Sequence, residues 1–427
     1  MHKLKVNGGK TLQGEVWLHG AKNAALPIIA ATLLFDNQQV VIESVPVIDD
    51  VKIMLDLLVK LGVEVNFQQA EHSLTLNLPS QAEISIAPPE HLVSKMRATL
   101  LIMGALLATK GEVEIALPGG CSIGYRPIDY HLAALAEMGA VITREHGVLI
   151  AKAPTGLKAA NIHLDFPSVG ATENIIMAAV LTAGTTTIDN AAKEPEVVDL
   201  VRFLNLAGAK ITGAGTTEIK IEGVKTLTGV TYEIISDRIE AATYVIAAAC
   251  TKGDIIIHDV IVSHLTTFIA KLTEIGVKVE ELPNDSIRVI GTEPYELGRA
   301  IDVRTSPYPG FQTDMQVLIL PLLIKAGANA VIVDNVFNAR FKHVEEFCKI
   351  GAQLTQVENM LIVNEKHQIV SGTIKATDLR AAAAMLLLAL SYDVTTLVQD
   401  ANQILRGYEE LIKNLSTLGA DIEIVCE

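Results

Sequence analysis

The feature that most constrains the fold is a short phrase that recurs six times along the chain. In each copy an apolar residue precedes a glycine, Ala or Val follows it, and an aliphatic residue closes the phrase two positions later. The glycines are Gly62, Gly139, Gly208, Gly276, Gly351 and Gly419, so successive copies are 77, 69, 68, 75 and 68 residues apart. This period is too long for a solenoid unit and indicates a small α/β subdomain.

Each copy contains two helical patterns and three strand-like patterns. A mostly apolar helix comes first, and a strand, a polar loop, an amphipathic helix ended by the glycine, and two more strands follow. The apolar helices are predicted at residues 23–34, 97–108, 172–182, 240–250, 315–324 and 379–390. Because a helix that is apolar on nearly all sides is buried, we expect helices inside and sheets outside. The predicted class is α/β, with two inside-out domains, each of three βαβαββ-type repeats with buried helices and outer sheets.

A chain of 427 residues is longer than one hydrophobic core usually grows, which favours two domains of three repeats each. The seam is expected after the third repeat. The first domain would span residues 22–235, and the second would combine residues 1–21 with residues 236–427. A single N-terminal strand at residues 4–16 is expected to pair within the second domain, so that the chain crosses between the domains twice.

Composition excludes several classes of protein. The formal charge of −15 disfavours a nucleic-acid or membrane-surface binder, so an anionic substrate needs a local cluster of cations. The most apolar run, residues 381–390, is far shorter than the roughly 18 residues of a membrane span. The cysteines, which show no CxxC pair or metal-ligand spacing, are Cys121, Cys250, Cys348 and Cys426. We predict a soluble cytoplasmic protein with no metal, no organic cofactor and no obligate protein partner.

Cations and hydrogen-bonding side chains recur at the starts of the apolar helices and in the loops after the first strands. Any one of them fits a helix cap or a solvated loop charge. As a set, equivalent positions in a three-fold repeat come together, so facing domains would enclose a cationic cleft. The residues expected to line it are Lys22, Arg97, Arg126, Arg340 and Arg406. Such a cleft suits a ligand that carries phosphate and carboxylate groups.

The stretch Leu117 to Pro127 contains three glycines and two prolines, which neither a helix nor a central strand accommodates. Cys121 is therefore expected at the tip of a loop, with Arg126 close by to favour its thiolate. A free cysteine in an ordinary surface turn is the alternative that the loop alone leaves open.

Several motifs resemble the UDP-N-acetylglucosamine 1-carboxyvinyltransferase family, and the resemblance runs from end to end. They are Gly20–Pro27, Leu117–Pro127, Ser168–Thr172, Thr313–Gln316, Arg340–Phe341, Ala376–Arg380 and Arg406–Glu409. The resemblance implies transfer of enolpyruvate from phosphoenolpyruvate to the 3-hydroxyl of UDP-N-acetylglucosamine, the first committed step of peptidoglycan precursor synthesis. Roles in cell-wall biogenesis, cell shape and cell division follow from it, as does attack on the cysteine by the epoxide fosfomycin.

The resemblance also implies the roles of individual residues. Cys121 would deliver a proton to the methylene carbon and form a covalent adduct with phosphoenolpyruvate, and Asp314 would take the proton of the sugar hydroxyl. Lys22 and Arg406 complete the catalytic set. The implied phosphoenolpyruvate ligands are Lys22, Asn23, Arg126 and Arg406. The implied UDP-sugar ligands are Arg97, Arg126, Pro127, Ile128, Asp129, Tyr130, Phe166, Pro167, Ser168, Val169, Asp314 and Val336. Since these residues come from both predicted domains, catalysis is expected to require domain closure.

Two other functions stay open at this point. An enolpyruvyl transferase acting on shikimate phosphate shares the architecture, but that family has no cysteine loop. A non-catalytic relative that binds the nucleotide sugar is disfavoured by the intact set of Lys22, Cys121, Asp314 and Arg406. The chain departs from the resembled pattern at Asp49, Gln312, Ala339 and Leu405, none of which has an expected catalytic role.

Overall fold

A computed structural model describes residues 2–116, 128–292, 300–327, 329–337 and 339–426. Within them the chain forms two compact units. The first unit runs from Gly20 to Ile235, and the second combines the residues up to His19 with those from Ser236 onward. No helix in the described part of the chain has both the length and the apolar character needed to cross a membrane.

The helices and strands alternate as the repeat predicts. The described α-helices are α1 (Lys22–Ala31), α2 (Asp49–Leu61), α3 (Glu90–Val93), α4 (Ile102–Lys110), α5 (Asp129–Glu137), α6 (Val169–Val180), α7 (Pro195–Leu206), α8 (Arg238–Cys250), α9 (Thr266–Ile275), α10 (Thr313–Lys325), α11 (Val344–Lys349), α12 (Leu379–Ser391) and α13 (Leu411–Thr417). Short 3-10 helices occupy Thr32–Leu34, Gln69–Glu71, Gln81–Glu83, Arg97–Leu101, Val262–His264 and Ala401–Arg406. The described strands are β1 (His2–Asn7), β2 (Gln13–Trp17), β3 (Gln38–Glu43), β4 (Glu64–Gln68), β5 (Ser73–Leu78), β6 (Glu112–Ala116), β7 (Val141–Glu145), β8 (Val148–Lys152), β9 (Asn161–His163), β10 (Thr185–Asp189), β11 (Lys210–Thr212), β12 (Glu218–Glu222), β13 (Thr231–Glu233), β14 (Asp254–His258), β15 (Lys278–Leu282), β16 (Ser286–Ile290), β17 (Ile301–Arg304), β18 (Ala330–Val333), β19 (Leu354–Val357), β20 (Met360–Val363), β21 (Gly372–Lys375), β22 (Thr395–Gln399) and β23 (Asp421–Cys426).

In the first unit the buried helices are α1, α4 and α6, and their apolar side chains belong to one continuous core. Three small sheets accompany them, with strand orders β13-β3-β5-β4, β6-β8-β7 and β11-β12-β10-β9. Within the sheets buried and exposed residues alternate, as in β12, because one face of each strand packs on the core and the other meets water. The predicted inside-out α/β fold is confirmed for this unit.

The second unit repeats the plan around α8, α10 and α12. Every residue of α8 and of α12 is buried, as expected of helices that are apolar on all sides. The three sheets have strand orders β15-β16-β14-β2, β17-β18-β20-β19 and β21-β22-β1-β23. Both units therefore place their most apolar helices in the core, which confirms the predicted fold class.

The prediction of one N-terminal strand at residues 4–16 is wrong, because the segment forms two strands in different sheets. β1 pairs antiparallel with β22 and β23, and β2 pairs parallel with β14. The chain turns away between them at Gly8, where a Cβ atom would lie 2.1 Å from the Ala389 carbonyl oxygen. The N-terminus thus supplies the strand that the sixth repeat would otherwise lack.

The six repeated glycines all have left-handed backbone conformations. Their φ angles are 108° at Gly62, 92° at Gly139, 102° at Gly208, 96° at Gly276, 101° at Gly351 and 110° at Gly419. Glycine adopts this conformation without the steric cost of a Cβ atom, so it ends the amphipathic helix and turns the chain into the next strand. The predicted helix-ending role of the repeat is confirmed at every copy.

The second buried helix does not begin as predicted. Residues Arg97–Leu101 form a 3-10 turn, and the α-helix α4 starts only at Ile102. The side chain of Asn174 explains the change, because it occupies the place of one helical hydrogen bond. Its Nδ2 donates to the Leu100 carbonyl at 3.0 Å, and its Oδ1 accepts from the Gly104 N–H at 2.8 Å. A side chain inserted in this way interrupts the regular helical ladder.

Candidate active site

Asp314 lies in the first turn of α10 and is held by two arginines of the second unit. Its Oδ1 is 2.5 Å from Arg340 Nη2, and its Oδ2 is 3.1 Å from Arg380 Nε. The arginine side chains are 3% and 4% exposed, whereas that of Asp314 is 24% exposed. The carboxylate is therefore fixed from below by two buried cations and remains partly open to a ligand, as a general base requires.

Arg380 is itself fixed by its neighbours in the core. Its guanidinium carbon lies 5.2 Å from the centre of the Tyr408 ring, and the Tyr408 hydroxyl is 2.9 Å from Thr243 Oγ1. Burial lowers the pKa of Arg380, but the neighbouring Tyr408, Asp314 and Asp237 together raise it by more, so the net shift is upward. This side chain is a permanent cation beside Asp314.

Arg340 connects Asp314 to the loop that carries Val336. Its Nη1 donates to Thr313 Oγ1 at 3.2 Å, and the Thr313 hydroxyl donates to Asp334 at 2.7 Å. The same Asp334 accepts the Val336 N–H at 2.9 Å. A predicted UDP-sugar residue and the predicted base are thus linked through side chains to one buried carboxylate.

Arg406 ends the 3-10 helix Ala401–Arg406 and is half-buried. Two residues later comes Tyr408, whose ring lies against Arg380. The second unit therefore gathers Asp314, the Val336 loop and the segment of Arg406 at the N-terminal ends of its core helices. Free N–H groups and helix dipoles at such ends favour negatively charged ligands.

In the first unit, Lys22 is the first residue of α1, and Asn23 follows it. Lys22 Nζ lies 3.3 Å from Asp50 Oδ2, in the first turn of α2. The Lys22 side chain is 12% exposed and that of Asp50 is 4% exposed. The ammonium group is thereby held at the helix start rather than left to move in solvent, which pre-positions it for an anion.

The predicted UDP-sugar residues of the first unit lie at three element starts. Arg97 opens the 3-10 turn before α4, and Ile128, Asp129 and Tyr130 lie at the start of α5. Residues 166–169 lead into α6, where Ser168 Oγ accepts the Ala171 N–H at 3.4 Å as a helix cap. Cys121, Arg126 and Pro127 lie outside the described residues, so the cysteine loop stays a prediction.

Asn174, which the sequence did not single out, joins these three starts. Besides replacing a hydrogen bond at the Arg97 turn, its Nδ2 lies 2.8 Å from His131 Nδ1 on α5. Asn174 itself belongs to α6 and is fully buried. The two helices α4 and α6 approach each other closely here, because a Cβ atom on Gly104 would lie 2.2 Å from the main-chain carbonyl oxygen of Asn174. One amide thus fixes the relative positions of three segments.

His131 is buried, and this burial, together with the charge of Arg97, lowers its pKa to about 4. The ring is therefore neutral near pH 7, and its Nδ1 accepts a hydrogen bond from the Asn174 amide. Gly170 lies against the same ring, since a Cβ there would come within 3.1 Å of His131 Cε1. His131 is a packed part of the support for α5 and α6.

This neutral histidine should make stability depend on pH. In the unfolded chain the ring titrates near 6.5, so below that pH the unfolded chain binds a proton that the folded chain excludes until about pH 4. Between about pH 7.5 and about pH 5, wild type should lose about 2 kcal/mol more unfolding free energy than His131→Gln. Urea unfolding at both pH values measures the difference. His91→Gln, at an exposed site, is the control and should follow wild type; equal losses in all three proteins would contradict a neutral His131.

The chain is similar to known proteins over nearly its whole length. Residues 6–415 match the family described as EPSP synthase (3-phosphoshikimate 1-carboxyvinyltransferase). UDP-N-acetylglucosamine 1-carboxyvinyltransferase 1 of Halalkalibacterium halodurans is 46% identical over 427 residues, covering 100% of this chain and 95% of that protein. UDP-N-acetylglucosamine 1-carboxyvinyltransferase 2 of Staphylococcus saprophyticus is 44% identical over 423 residues, covering 99% of both.

Solved structures show the same architecture. The enolpyruvyl transferase NikO from Streptomyces tendae superposes with a TM-score of 0.87 at 25% identity, covering 99% of each chain. An EPSP synthase from Acinetobacter baumannii superposes with a TM-score of 0.73 at 19% identity, covering 100% of each chain, which supports the fold alone. With matches that span the whole sequence, the chain belongs to the EPSP synthase family of enolpyruvyl transferases and, within it, to the UDP-N-acetylglucosamine 1-carboxyvinyltransferases.

Proposed function

We propose that this protein transfers the enolpyruvyl group of phosphoenolpyruvate to the 3-hydroxyl of UDP-N-acetylglucosamine and releases phosphate. The observation that carries the proposal is the 44–46% identity, over essentially the whole chain, to two proteins that bear the name of this activity. The product is a precursor of peptidoglycan, which ties the enzyme to cell-wall biogenesis, cell shape and cell division. Both substrates are intracellular metabolites, so a cytoplasmic location is part of the proposal.

In the proposed addition step, the sugar oxygen attacks the central carbon of phosphoenolpyruvate. Its proton passes to Asp314, while a proton from the Cys121 thiol reaches the methylene carbon and makes a methyl group. The partly exposed carboxylate of Asp314, held by Arg340 and Arg380, supports the assignment of the base. Loss of a methyl proton and departure of phosphate then restore the double bond, so atoms and charge balance without an oxidant.

Cations would stabilise the charge that develops on phosphate and carboxylate during the addition. Lys22, Arg126 and Arg406 are proposed for this role, with Asn23 orienting the same ligand. The fixed position of Lys22 beside Asp50 supports its part. Cys121 is also proposed to form a covalent adduct with phosphoenolpyruvate and to be the site that fosfomycin alkylates.

The acceptor can be tested directly. Phosphate release from phosphoenolpyruvate is measured with UDP-N-acetylglucosamine or with shikimate 3-phosphate as the second substrate. We expect release with the nucleotide sugar and none above background with shikimate 3-phosphate. Phosphate release with shikimate 3-phosphate but not with the nucleotide sugar would show that shikimate 3-phosphate is the acceptor substrate. Binding of the nucleotide sugar without phosphate release would make the protein a non-catalytic relative.

Lys22→Ala should chiefly impair the use of phosphoenolpyruvate. Loss of a positioned ammonium group should raise the KM for phosphoenolpyruvate on the order of 10-fold or more, with a smaller change in the KM for the nucleotide sugar. Steady-state kinetics with each substrate varied in turn measures this split. Lys52→Ala, which removes an exposed lysine of the neighbouring α2, is the matched control and should behave as wild type. An unchanged phosphoenolpyruvate dependence in Lys22→Ala would remove Lys22 from the anion site.

A further inference from the structure

Asp334, directly after β18, is a fully buried carboxylate outside the predicted site. Five donors surround it: the Thr305 hydroxyl at 2.8 Å, the Val336 N–H at 2.9 Å and the Phe337 N–H at 3.0 Å on Oδ1, and the Thr313 hydroxyl at 2.7 Å and Gln316 Nε2 at 3.4 Å on Oδ2. A buried carboxylate is tolerated only when its oxygens are well supplied with donors, and here the donors come from three separate segments. Asp334 therefore fixes these segments to one another.

The first connection from Asp334 to Asp314 runs through a hydroxyl group. Thr313 has a single hydroxyl proton, and it is donated to Asp334. The oxygen lone pairs are then left to accept from Arg340 Nη1 at 3.2 Å. Asp334 thus determines the direction of the Thr313 hydroxyl, and this direction makes Thr313 an acceptor for Arg340.

The second connection runs through an aromatic ring. By accepting the N–H groups of Val336 and Phe337, Asp334 shapes the turn after β18. The Phe337 ring of that turn faces Arg340, whose guanidinium carbon is 5.6 Å from the ring centre, a cation–π distance. Arg340 is therefore held at Nη1 and on its face by two groups that Asp334 orders, and its Nη2 binds Asp314.

We propose that Asp334 is a positioning residue for the transfer reaction: through Thr313 and Phe337 it orients Arg340, which fixes the carboxylate of Asp314 for proton removal. The inference rests on the proposed function, in which Asp314 is the base. Because the same turn carries Val336, Asp334 also sets the position of a proposed UDP-sugar contact. Its effect on the reaction is indirect and passes through Arg340.

Asp334→Asn tests this connection with little change of shape. The asparagine oxygen can keep the contacts of Oδ1, but its NH2 group replaces Oδ2 and cannot accept the Thr313 proton. The Thr313 oxygen must then accept a hydrogen bond from the asparagine NH2 group. This bond competes with the one that Thr313 accepts from Arg340. We expect kcat to fall on the order of 10-fold, with a smaller change in the KM for phosphoenolpyruvate. Since Asp334→Asn also removes a negative charge near Asp314, which lowers the pKa of Asp314 and opposes the effect of lost pairing with Arg340, the pH readout is taken from a variant that leaves the charges unchanged.

Further variants separate this role from plain structural support. Thr313→Val breaks the same connection without changing a charge, so it should move the acid limb of the pH profile to higher pH, since Asp314 loses part of its pairing with Arg340. The double variant should lower kcat no further than Asp334→Asn does, because both changes break one connection. Thr313→Ser keeps the hydroxyl group and should therefore show the wild-type pH profile. Asn359→Ala is the matched control: Asn359 Nδ2 donates to the main-chain carbonyl of Asp334 at 3.1 Å and does not touch its carboxylate. It should alter stability without moving the acid limb.

A substrate-free titration keeps the inference distinct from the proposed function. NMR of carbon-13-labelled aspartate, with Asp314 assigned from Asp314→Asn, should show the Asp314 carboxyl titrating at higher pH in Thr313→Val than in wild type. An unshifted Asp314 resonance and acid limb in Thr313→Val, or a kcat of Asp334→Asn equal to that of wild type, would overturn the positioning role. Wild type that releases no phosphate with UDP-N-acetylglucosamine would instead refute the proposed function, and the titration would still decide whether the Thr313 hydroxyl, which Asp334 directs, orients Arg340 against Asp314.

Discussion

Asp314→Ala should lower kcat on the order of 100-fold or more, with a modest change in affinity for UDP-N-acetylglucosamine. The substitution removes the group that would accept the sugar hydroxyl proton. It also leaves Arg340 and Arg380, which are 3% and 4% exposed, without a carboxylate that both contact. Since an uncompensated buried charge is costly, the variant should lose stability as well, and the two effects have to be separated.

Asp314→Asn separates the loss of the proton acceptor from the loss of stability. Its amide oxygen can still accept from one arginine, and the side chain has nearly the same volume, but it cannot take a proton near neutral pH. We expect Asp314→Asn to be more stable than Asp314→Ala in urea unfolding and to be as slow in turnover. If Asp314→Asn kept more than about a tenth of wild-type kcat, Asp314 would be an anchor for the arginines and another group would be the base.

Cys121→Ala should abolish turnover while UDP-N-acetylglucosamine still binds. The proposal gives Cys121 the proton that reaches the methylene carbon, and alanine has no proton to deliver. Cys121→Asp should retain part of the activity, because a carboxylic acid can also donate, and it should resist alkylation by fosfomycin. Turnover is measured by phosphate release and binding by calorimetry.

A second cysteine supplies the control for this experiment. Cys348 is an exposed residue, but partial removal of its thiol from water raises the pKa of that thiol, so it should react slowly with electrophiles. Cys348→Ala should keep full activity and remain sensitive to fosfomycin. Full activity in Cys121→Ala, or protection from fosfomycin in Cys348→Ala, would reassign the reactive thiol.

Much of the fold was predictable because the repeated phrase consists of residues with strong backbone preferences. The glycine of each copy was readily explained as a residue that ends a helix in the left-handed conformation, and all six glycines adopt this conformation. The helices apolar on every side could only be buried. The N-terminus was harder, since its two strands pair with partners more than two hundred residues away, and local pattern does not encode such pairing. A two-residue Gly8-Gly9 break was the available signal for two strands rather than one.

The supports of the candidate site were less predictable than its exposed residues. Asp50, Asn174 and Asp334 look like helix caps or loop polar groups in sequence, and only their contacts distinguish them. A signal was present for two of them: Asn174 lies within a mostly apolar helix, and Asp334 directly follows a strand that has no exposed residue. Polar groups in such places must find partners, so they indicate long-range hydrogen bonds without naming the partner.

Enolpyruvyl transfer to this acceptor is tested by product analysis of wild type and Cys121→Ala incubated with phosphoenolpyruvate and UDP-N-acetylglucosamine. Mass spectrometry identifies the nucleotide product, and phosphate is quantified in the same samples. Wild type should form an enolpyruvyl ether of the nucleotide sugar, with one phosphate released for each ether formed, and Cys121→Ala should form none. Phosphate released without the ether, or an unchanged nucleotide sugar in wild type, would contradict enolpyruvyl transfer to this acceptor.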